Sequence, residues 1–239
     1  MPLPTIEVPK YKLKIPSTGK MVTYRPFLVK EEKVLLTALE TSNDESTLVD
    51  ALINLVDSCI ETKNIKVSKL TSFDLEYLFI QLRAKSVGEI AELNVQCSTP
   101  DCGIDFPHSV NLNELKIHRN KEHTEKIELS NEIGVIMKYP TLEEANAITK
   151  SSKTGTDELF SIIACCIDSI FTPQEVFSHK DHSQKELEDF VEQLSPEFFK
   201  KIMSFFETMP TMENSITCTC PKCKQDNTLI IKGIEDFFD

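Results

Sequence analysis

Glycine is scarce in this sequence, and the glycine-dependent motifs of common enzymes are missing with it. The 239 residues include six glycines, with no G-x-S-x-G nucleophile turn and no Gly-rich phosphate loop. An H-E-x-x-H metalloprotease helix is also absent. Loops that bind a ligand through successive backbone N–H groups depend on closely spaced glycines, and this chain has few to offer. We therefore expect a protein without catalytic residues.

Long apolar runs and an excess of basic residues are also missing. No stretch approaches the ~18 consecutive apolar residues of a membrane span. The start, Met1-Pro2-Leu3-Pro4, lacks the apolar core of a signal peptide. The 26 basic residues are outnumbered by 38 acidic ones, which gives a formal net charge of -12. Nonspecific binding to nucleic acid or to a membrane surface needs clustered Lys and Arg, so we expect neither partner.

Cysteine, in contrast, is plentiful, and most of it lies in two matching turns. Of the eight cysteines, Cys97 and Cys102 enclose the first turn, and Cys218, Cys220 and Cys223 lie in the second. In a chain without a signal peptide, this number of cysteines indicates a reducing compartment and metal binding rather than disulfides. The strands expected around the turns are 92–95 with 104–110, and 215–217 with 228–231.

Each turn therefore predicts a zinc knuckle at the tip of a β-hairpin. Two knuckles supply the four thiolates of a tetrahedral structural Zn²⁺ site. A proline inside each turn fixes one backbone dihedral before metal arrives. A site closed by four thiolates leaves no open position for water or substrate, so the predicted role of the zinc is structural.

The cysteine that binds metal together with Cys223 in the second turn has two possible interpretations. Cys220 with Cys223 forms the compact C-P-x-C knuckle, which favours Cys220. Cys218 with Cys223 would instead reproduce the spacing of the first turn and align the prolines of the two turns. We predict Cys97, Cys102, Cys220 and Cys223 as the metal ligands, with Cys218 as the alternative to Cys220.

The N-terminal part of the sequence predicts a β-hairpin followed by a helix. Strand-like runs at 11–15 and 21–24 flank a segment rich in turn-forming residues. A helix is expected over about 30–40, with the charged residues 30–33 as its solvated start. The residues of this helix that are expected to face inward are Val34, Leu35 and Ala38.

Two more helices are expected before the first knuckle. The second helix is predicted to start near residue 43 and to place Cys59 in the core. The third has Thr71 as its N-cap and Asp74 three residues on, and it should run to about residue 85. This third helix is apolar on nearly every side, which is typical of a helix that is central and buried or is covered by a partner, and we favour burial inside the chain.

The region between the knuckles predicts short strands and several helices. The strands are expected at 127–129 and 135–137. An apolar run predicts a helix over 157–167, in which Cys165 and Cys166 point about 100° apart and are interpreted as packing residues. The remainder is expected to be loop followed by helices. Capping residues mark helix starts at Thr141, Ser183 and Ser195.

His179 and His182 are not expected to bind metal. His118 and His123 lie in a polar stretch that predicts an exposed loop, and His179 and His182 lie in another. Imidazoles in polar loops are in solvent more often than on a metal ion.

Several segments carry a resemblance to a known family. They are 16–20 (Pro-Ser-Thr-Gly-Lys), 24–27 (Tyr-Arg-Pro-Phe), 29–33 (Val-Lys-Glu-Glu-Lys) and 134–141 (Gly-Val-Ile-Met-Lys-Tyr-Pro-Thr). With the two knuckles, they make nearly the whole chain resemble the T-even-type phage baseplate proteins of the hub assembly group. The resemblance implies a contractile-tail phage protein that builds or assembles the baseplate hub. It implies other baseplate hub proteins as partners and brings no catalytic residues.

Together these observations predict an α+β protein whose helical body carries an N-terminal β-hairpin and a zinc-ribbon-like module. The expected segments are 1–87, then 88–113 with 211–234 as the module, and 114–210. We expect protein–protein contacts in tail assembly in the host cytoplasm. The protein then either stays in the tail baseplate of the virion or acts in assembly alone.

The alternative is a zinc-ribbon regulator that binds nucleic acid. Such a protein would need a basic patch beside the knuckles. Lys222, Lys224 and Lys232 lie nearby, but so do the acidic residues Asp101, Asp105, Asp226, Glu235, Asp236 and Asp239. The mixed charge favours the structural reading.

Overall fold

The chain combines helices with small antiparallel sheets, as the computed structural model of residues 7–41, 45–151 and 155–231 shows. The strands are β1 Tyr11–Lys14, β2 Met21–Tyr24, β3 Ile90–Gln96, β4 Asp105–Asn111, β5 Lys126–Glu128, β6 Gly134–Met137, β7 Ile167–Phe171, β8 Val176–Ser178, β9 Asn214–Thr219 and β10 Asp226–Ile231. The helices are α1 Val29–Thr41, α2 Glu45–Cys59, α3 Ser72–Ser86, α4 Leu142–Thr149, α5 Thr156–Cys165, α6 Gln184–Glu192 and α7 Pro196–Glu207. The predicted α+β class is confirmed.

The elements group into two compact units. The first unit takes residues 1–118 with 211–239, and the second takes 119–210. The first contains the hairpins β1–β2, β3–β4 and β9–β10, and the second contains the four-stranded sheet in the order β5-β6-β7-β8. The three-segment division stays a prediction. The predicted start of the second helix, Lys232 and the acidic end of the chain lie outside the described residues.

Helix α3 is the buried centre of the first unit, as its all-round apolar sequence predicts. Thr71 and Asp74 form the expected capping box at its start. The Asp74 carboxylate is fully buried and also accepts hydrogen bonds from the N–H and hydroxyl of Ser17. Since Ser17 belongs to the turn between β1 and β2, this carboxylate ties the N-terminal hairpin to α3. The turn-rich segment 16–20 therefore has a structural role.

The segment from Arg25 to Glu31 forms a second tie, and here the sequence-based expectation is partly wrong. The Arg25 guanidinium bonds Glu31 Oε1 at 2.9 Å and the Ser58 carbonyl at 3.1 Å. Glu31 Oε2 accepts the Leu28 N–H at 2.7 Å. Glu31 is therefore buried rather than solvated, because the guanidinium satisfies its charge. Val34 lies 57 % exposed instead of inward.

The second unit contains a sheet that the sequence does not predict in full. The apolar run predicts one helix over 157–167. In the structure the helix ends at Cys165, and the chain continues as strand β7. Strand β7 pairs with β6 on one side and β8 on the other. A short apolar run fits a buried strand as well as a buried helix, and the pairing partners decide between them.

A glycine allows the sheet of the second unit to close. A Cβ added to Gly134 at the start of β6 would collide with the Phe171 ring on β7 and lie 2.8 Å from the Ile127 carbonyl oxygen on β5. Only glycine lets the neighbouring groups approach this closely. The segment 134–141 is thus constrained by packing from its first residue.

The core of the second unit lies between this sheet and helices α5 to α7. Ile202 and Phe205 of α7 are fully buried in it, with Leu187 and Val191 of α6 beside them. The α7 residues Phe198, Phe199, Met203 and Phe206 are partly buried and pack against this core. In the described segments, no helix combines the length and the apolar composition needed to cross a bilayer.

Candidate metal centre

The two predicted knuckles lie at the tips of two hairpins that pack against each other. Residues of β3–β4 and β9–β10 form one small apolar cluster, and the cysteine-bearing turns lie at its end. The buried members of the cluster are Val95, Cys97, Phe106, Cys218 and Cys220. Two segments that are more than a hundred residues apart in sequence therefore build one module within the first unit.

The backbones of the two turns follow the same pattern. The Cys97 N–H donates to the Ile104 carbonyl at 2.8 Å, and the Cys220 N–H donates to the Gln225 carbonyl at 2.9 Å. The residue after the last cysteine of each turn, Gly103 or Lys224, has a left-handed φ of 52° or 63°. By this backbone pattern Cys220, rather than Cys218, occupies the position that Cys97 has in the first turn.

The four thiols converge in a group that can hold a metal ion. The Sγ atoms of Cys97, Cys102, Cys220 and Cys223 all lie within 4.8 Å of one another. Cys97 Sγ is 3.6 Å from Cys223 Sγ, and Cys102 Sγ is 3.8 Å from Cys220 Sγ. Tetrahedral coordination with metal–sulfur bonds of about 2.3 Å separates the sulfurs by about 3.8 Å. The donor set therefore fits a metal ion that prefers four thiolates.

Groups in the turns stabilise two of these sulfurs as thiolates. Hydrogen bonds from the Thr99 hydroxyl and then its N–H lower the pKa of the Cys97 thiol to about 6. The Gln225 N–H, and then the Thr99 hydroxyl, lower the pKa of the Cys223 thiol. Burial raises the pKa of Cys102 to about 11. Since metals bind the thiolate form, the donors of both turns favour coordination.

Cys218 lies outside the group of four. It is 1 % exposed on β9, and its thiol donates to the Asn227 carbonyl at 3.6 Å. Burial raises its pKa. Asn227 is the residue opposite Cys218 in the β9–β10 register, so this thiol packs inside the hairpin.

Two further cysteines are buried, and His123 is hydrogen-bonded. Cys59 and Cys166 are fully buried. His123 is not the exposed loop residue that the sequence predicts, because its Nδ1 lies 2.9 Å from Thr208 Oγ1 and its Nε2 lies 2.7 Å from the Tyr139 hydroxyl. Within the described ranges, the four cysteines are the one cluster of His, Cys, Asp or Glu side chains with a metal-binding arrangement.

Comparison with known proteins places the chain in a family. The family model described as T4 bacteriophage base plate protein matches residues 8–239. No curated protein and no solved structure gives a significant match. A match over nearly the whole chain covers both compact units, the hairpin ties of the first unit and the cysteine module. The chain therefore belongs to the T4 bacteriophage base plate protein family.

Proposed function

We propose that this chain is a structural or assembly subunit of the baseplate hub in a contractile phage tail. The family match over residues 8–239 carries the proposal, because baseplate membership indicates a structural role through contacts with other phage proteins. The hub assignment rests in addition on the resemblance of segments 16–20, 24–27, 29–33 and 134–141. Its partners are then other hub proteins, met in the host cytoplasm during assembly and retained in the tail baseplate.

The second part of the proposal is that the four-cysteine group holds a structural Zn²⁺ ion. Cys97, Cys102, Cys220 and Cys223 would be the ligands, since their sulfurs already have nearly tetrahedral separations. When bound, zinc would link the two hairpins of the module and contribute to folding. With four thiolates around the ion, no position is left for a substrate.

Pull-down of a tagged chain from infected cells, followed by mass spectrometry, tests the hub assignment. When the tagged chain is expressed at its wild-type level, we expect other baseplate hub proteins in the eluate. A tagged chain whose Arg25→Ala substitution weakens the first unit serves as a comparison for contacts that need the native fold. Recovery of nucleic acid or polymerase in place of tail proteins would favour the zinc-ribbon regulator and contradict the hub assignment.

Serine substitutions of Cys218 and Cys220 test the ligand set. Cys220→Ser should lose the metal, because Cys220 Sγ lies within the four-sulfur group. Cys218→Ser should keep it, because the Cys218 thiol donates to a backbone carbonyl outside that group. Zinc quantification after purification measures both. Loss of metal from Cys218→Ser with retention in Cys220→Ser would show that Cys218 is the ligand.

A further inference from the structure

A buried asparagine joins the two cysteine turns without any metal. Asn227 on β10 is 4 % exposed. Its Oδ1 accepts hydrogen bonds from the Ser98 N–H at 2.8 Å and from the Ser98 hydroxyl at 2.9 Å. Its Nδ2 donates to the Gln225 carbonyl at 3.1 Å. The amide therefore uses its acceptor on the first turn and its donor on the second.

The placement of these bonds connects them to the thiols on both sides. Ser98 follows Cys97 directly, and Gln225 is the residue whose carbonyl accepts the Cys220 N–H. The backbone of Asn227 is held as well, because its carbonyl accepts a hydrogen bond from the Cys218 thiol. The Asn227 side chain thus fixes the backbone at Ser98, next to Cys97, and at Gln225, whose carbonyl bonds the Cys220 N–H. The two hydrogen bonds that Asn227 Oδ1 accepts from Ser98 join the two hairpins, although these residues are 129 positions apart in the sequence.

We propose that Asn227 is a positioning residue that holds the two cysteine turns together and preorganises the four sulfurs for a metal ion. Buried side-chain hydrogen bonds of this kind favour one arrangement, because breaking them leaves polar groups without partners. The fifth thiol of the turns, Cys218, then supports Asn227 instead of binding metal. The metal-affinity part of this inference rests on the proposed zinc site, whereas the contact between the turns does not.

Two readouts on the full-length chain test the inference. The first is zinc affinity, measured by competition with a chelator. Asn227→Ala should bind zinc about 10- to 100-fold more weakly than the wild type, the usual loss when a group that orients a ligand is removed. One zinc per chain should still bind at saturation. Asn94→Ala is the matched control, because Asn94 is an exposed asparagine on β3 of the same module.

The second readout is hydrogen exchange of the Ser98 amide in chelated protein. The wild type should protect this amide without metal, since its acceptor is Asn227 Oδ1. Asn227→Ala should lose the protection, and Asn94→Ala should keep it. Asn227→Asp retains the acceptor oxygen but turns a second oxygen toward the Gln225 carbonyl, so it should restore protection at Ser98 only in part. This rescue distinguishes positioning by Oδ1 from a general packing defect.

The outcomes separate this inference from the zinc proposal. If the wild type binds no zinc but protects Ser98, and Asn227→Ala loses that protection, the zinc proposal fails and the link between the turns stands. If Asn227→Ala binds zinc like the wild type, Asn227 does not preorganise the sulfurs. A Ser98 amide that exchanges freely in chelated wild type also overturns the inference.

Discussion

Removal of metal should lower the melting temperature of the first unit, with the cysteine module destabilised but still held together by the Asn227–Ser98 contact. The proposed ligands Cys97 and Cys223 are 126 residues apart, so the ion closes a long loop as well as a local site. Structural zinc binds zinc-finger peptides with about 10–16 kcal/mol, which is comparable to the whole stability of a typical domain. Thermal scans of the protein before and after chelation measure the effect.

A substitution at the site provides the control for chelator action. Cys97→Ser should melt at a lower temperature than the wild type and should respond little to the chelator, because its site is already incomplete. Cys165→Ser, which changes a half-buried thiol of the second unit, should keep the full response of the wild type. Unchanged melting of chelated wild type would show that metal does not hold the module together.

Arg25→Ala should destabilise the first unit by about 3 kcal/mol, since it leaves a buried carboxylate without its partner. The side chains of Arg25 and Glu31 are 17 % and 8 % exposed, and their 2.9 Å ion pair links β2 to the start of α1. The same guanidinium also bonds the Ser58 carbonyl near the end of α2. Native-state hydrogen exchange of the α3 amides reports the stability of this unit by itself.

Lys30→Ala is a matched control on the same carboxylate. Lys30 Nζ lies 3.4 Å from Glu31 Oε1 but is 72 % exposed, so its loss should change stability by less than about 0.5 kcal/mol. Arg25→Lys should recover only part of the stability, because an ammonium cannot replace the forked guanidinium. Equal effects of Arg25→Ala and Lys30→Ala would show that burial of the pair is not what stabilises the unit.

The pH dependence of the Arg25 effect follows from Glu31. Burial, the largest influence, raises the pKa of Glu31, but hydrogen bonds from Arg25 and the Leu28 N–H outweigh it, and the folded pKa lies below the usual 4.5. The Arg25–Glu31 pair therefore contributes its full stabilisation at pH values above the usual pKa of 4.5. The contribution is lost as pH falls through the folded pKa, so wild type and Arg25→Ala should converge in acid.

Local sequence signals predict many of the observed elements. The capping boxes at Thr71, Thr141 and Ser183 are each formed by residues three positions apart, so the sequence displays them completely. Strand β7 is different, because its residues continue the apolar run of α5 and become a strand through pairing with β6. The sequence likewise predicts Glu31 as a surface charge, and only its contact with Arg25 in the fold explains why it is buried.

The candidate metal site divides in the same way. The spacing of cysteines around two prolines predicts both turns, since each is a local feature. The spacing leaves Cys218 and Cys220 undecided, because that choice depends on where each thiol points in the folded hairpin. The Asn227–Ser98 contact has no signal in the sequence, as its partners are 129 residues apart and both are common polar residues.

Elemental analysis of the chain purified without added metal tests the proposed centre most directly. A site of four thiolates holds one ion, so the account predicts about one zinc per chain in the wild type and none in Cys97→Ser. The sample must be kept reduced, because oxidised thiols cannot coordinate. A wild-type chain that is folded and reduced yet carries no zinc would contradict the account.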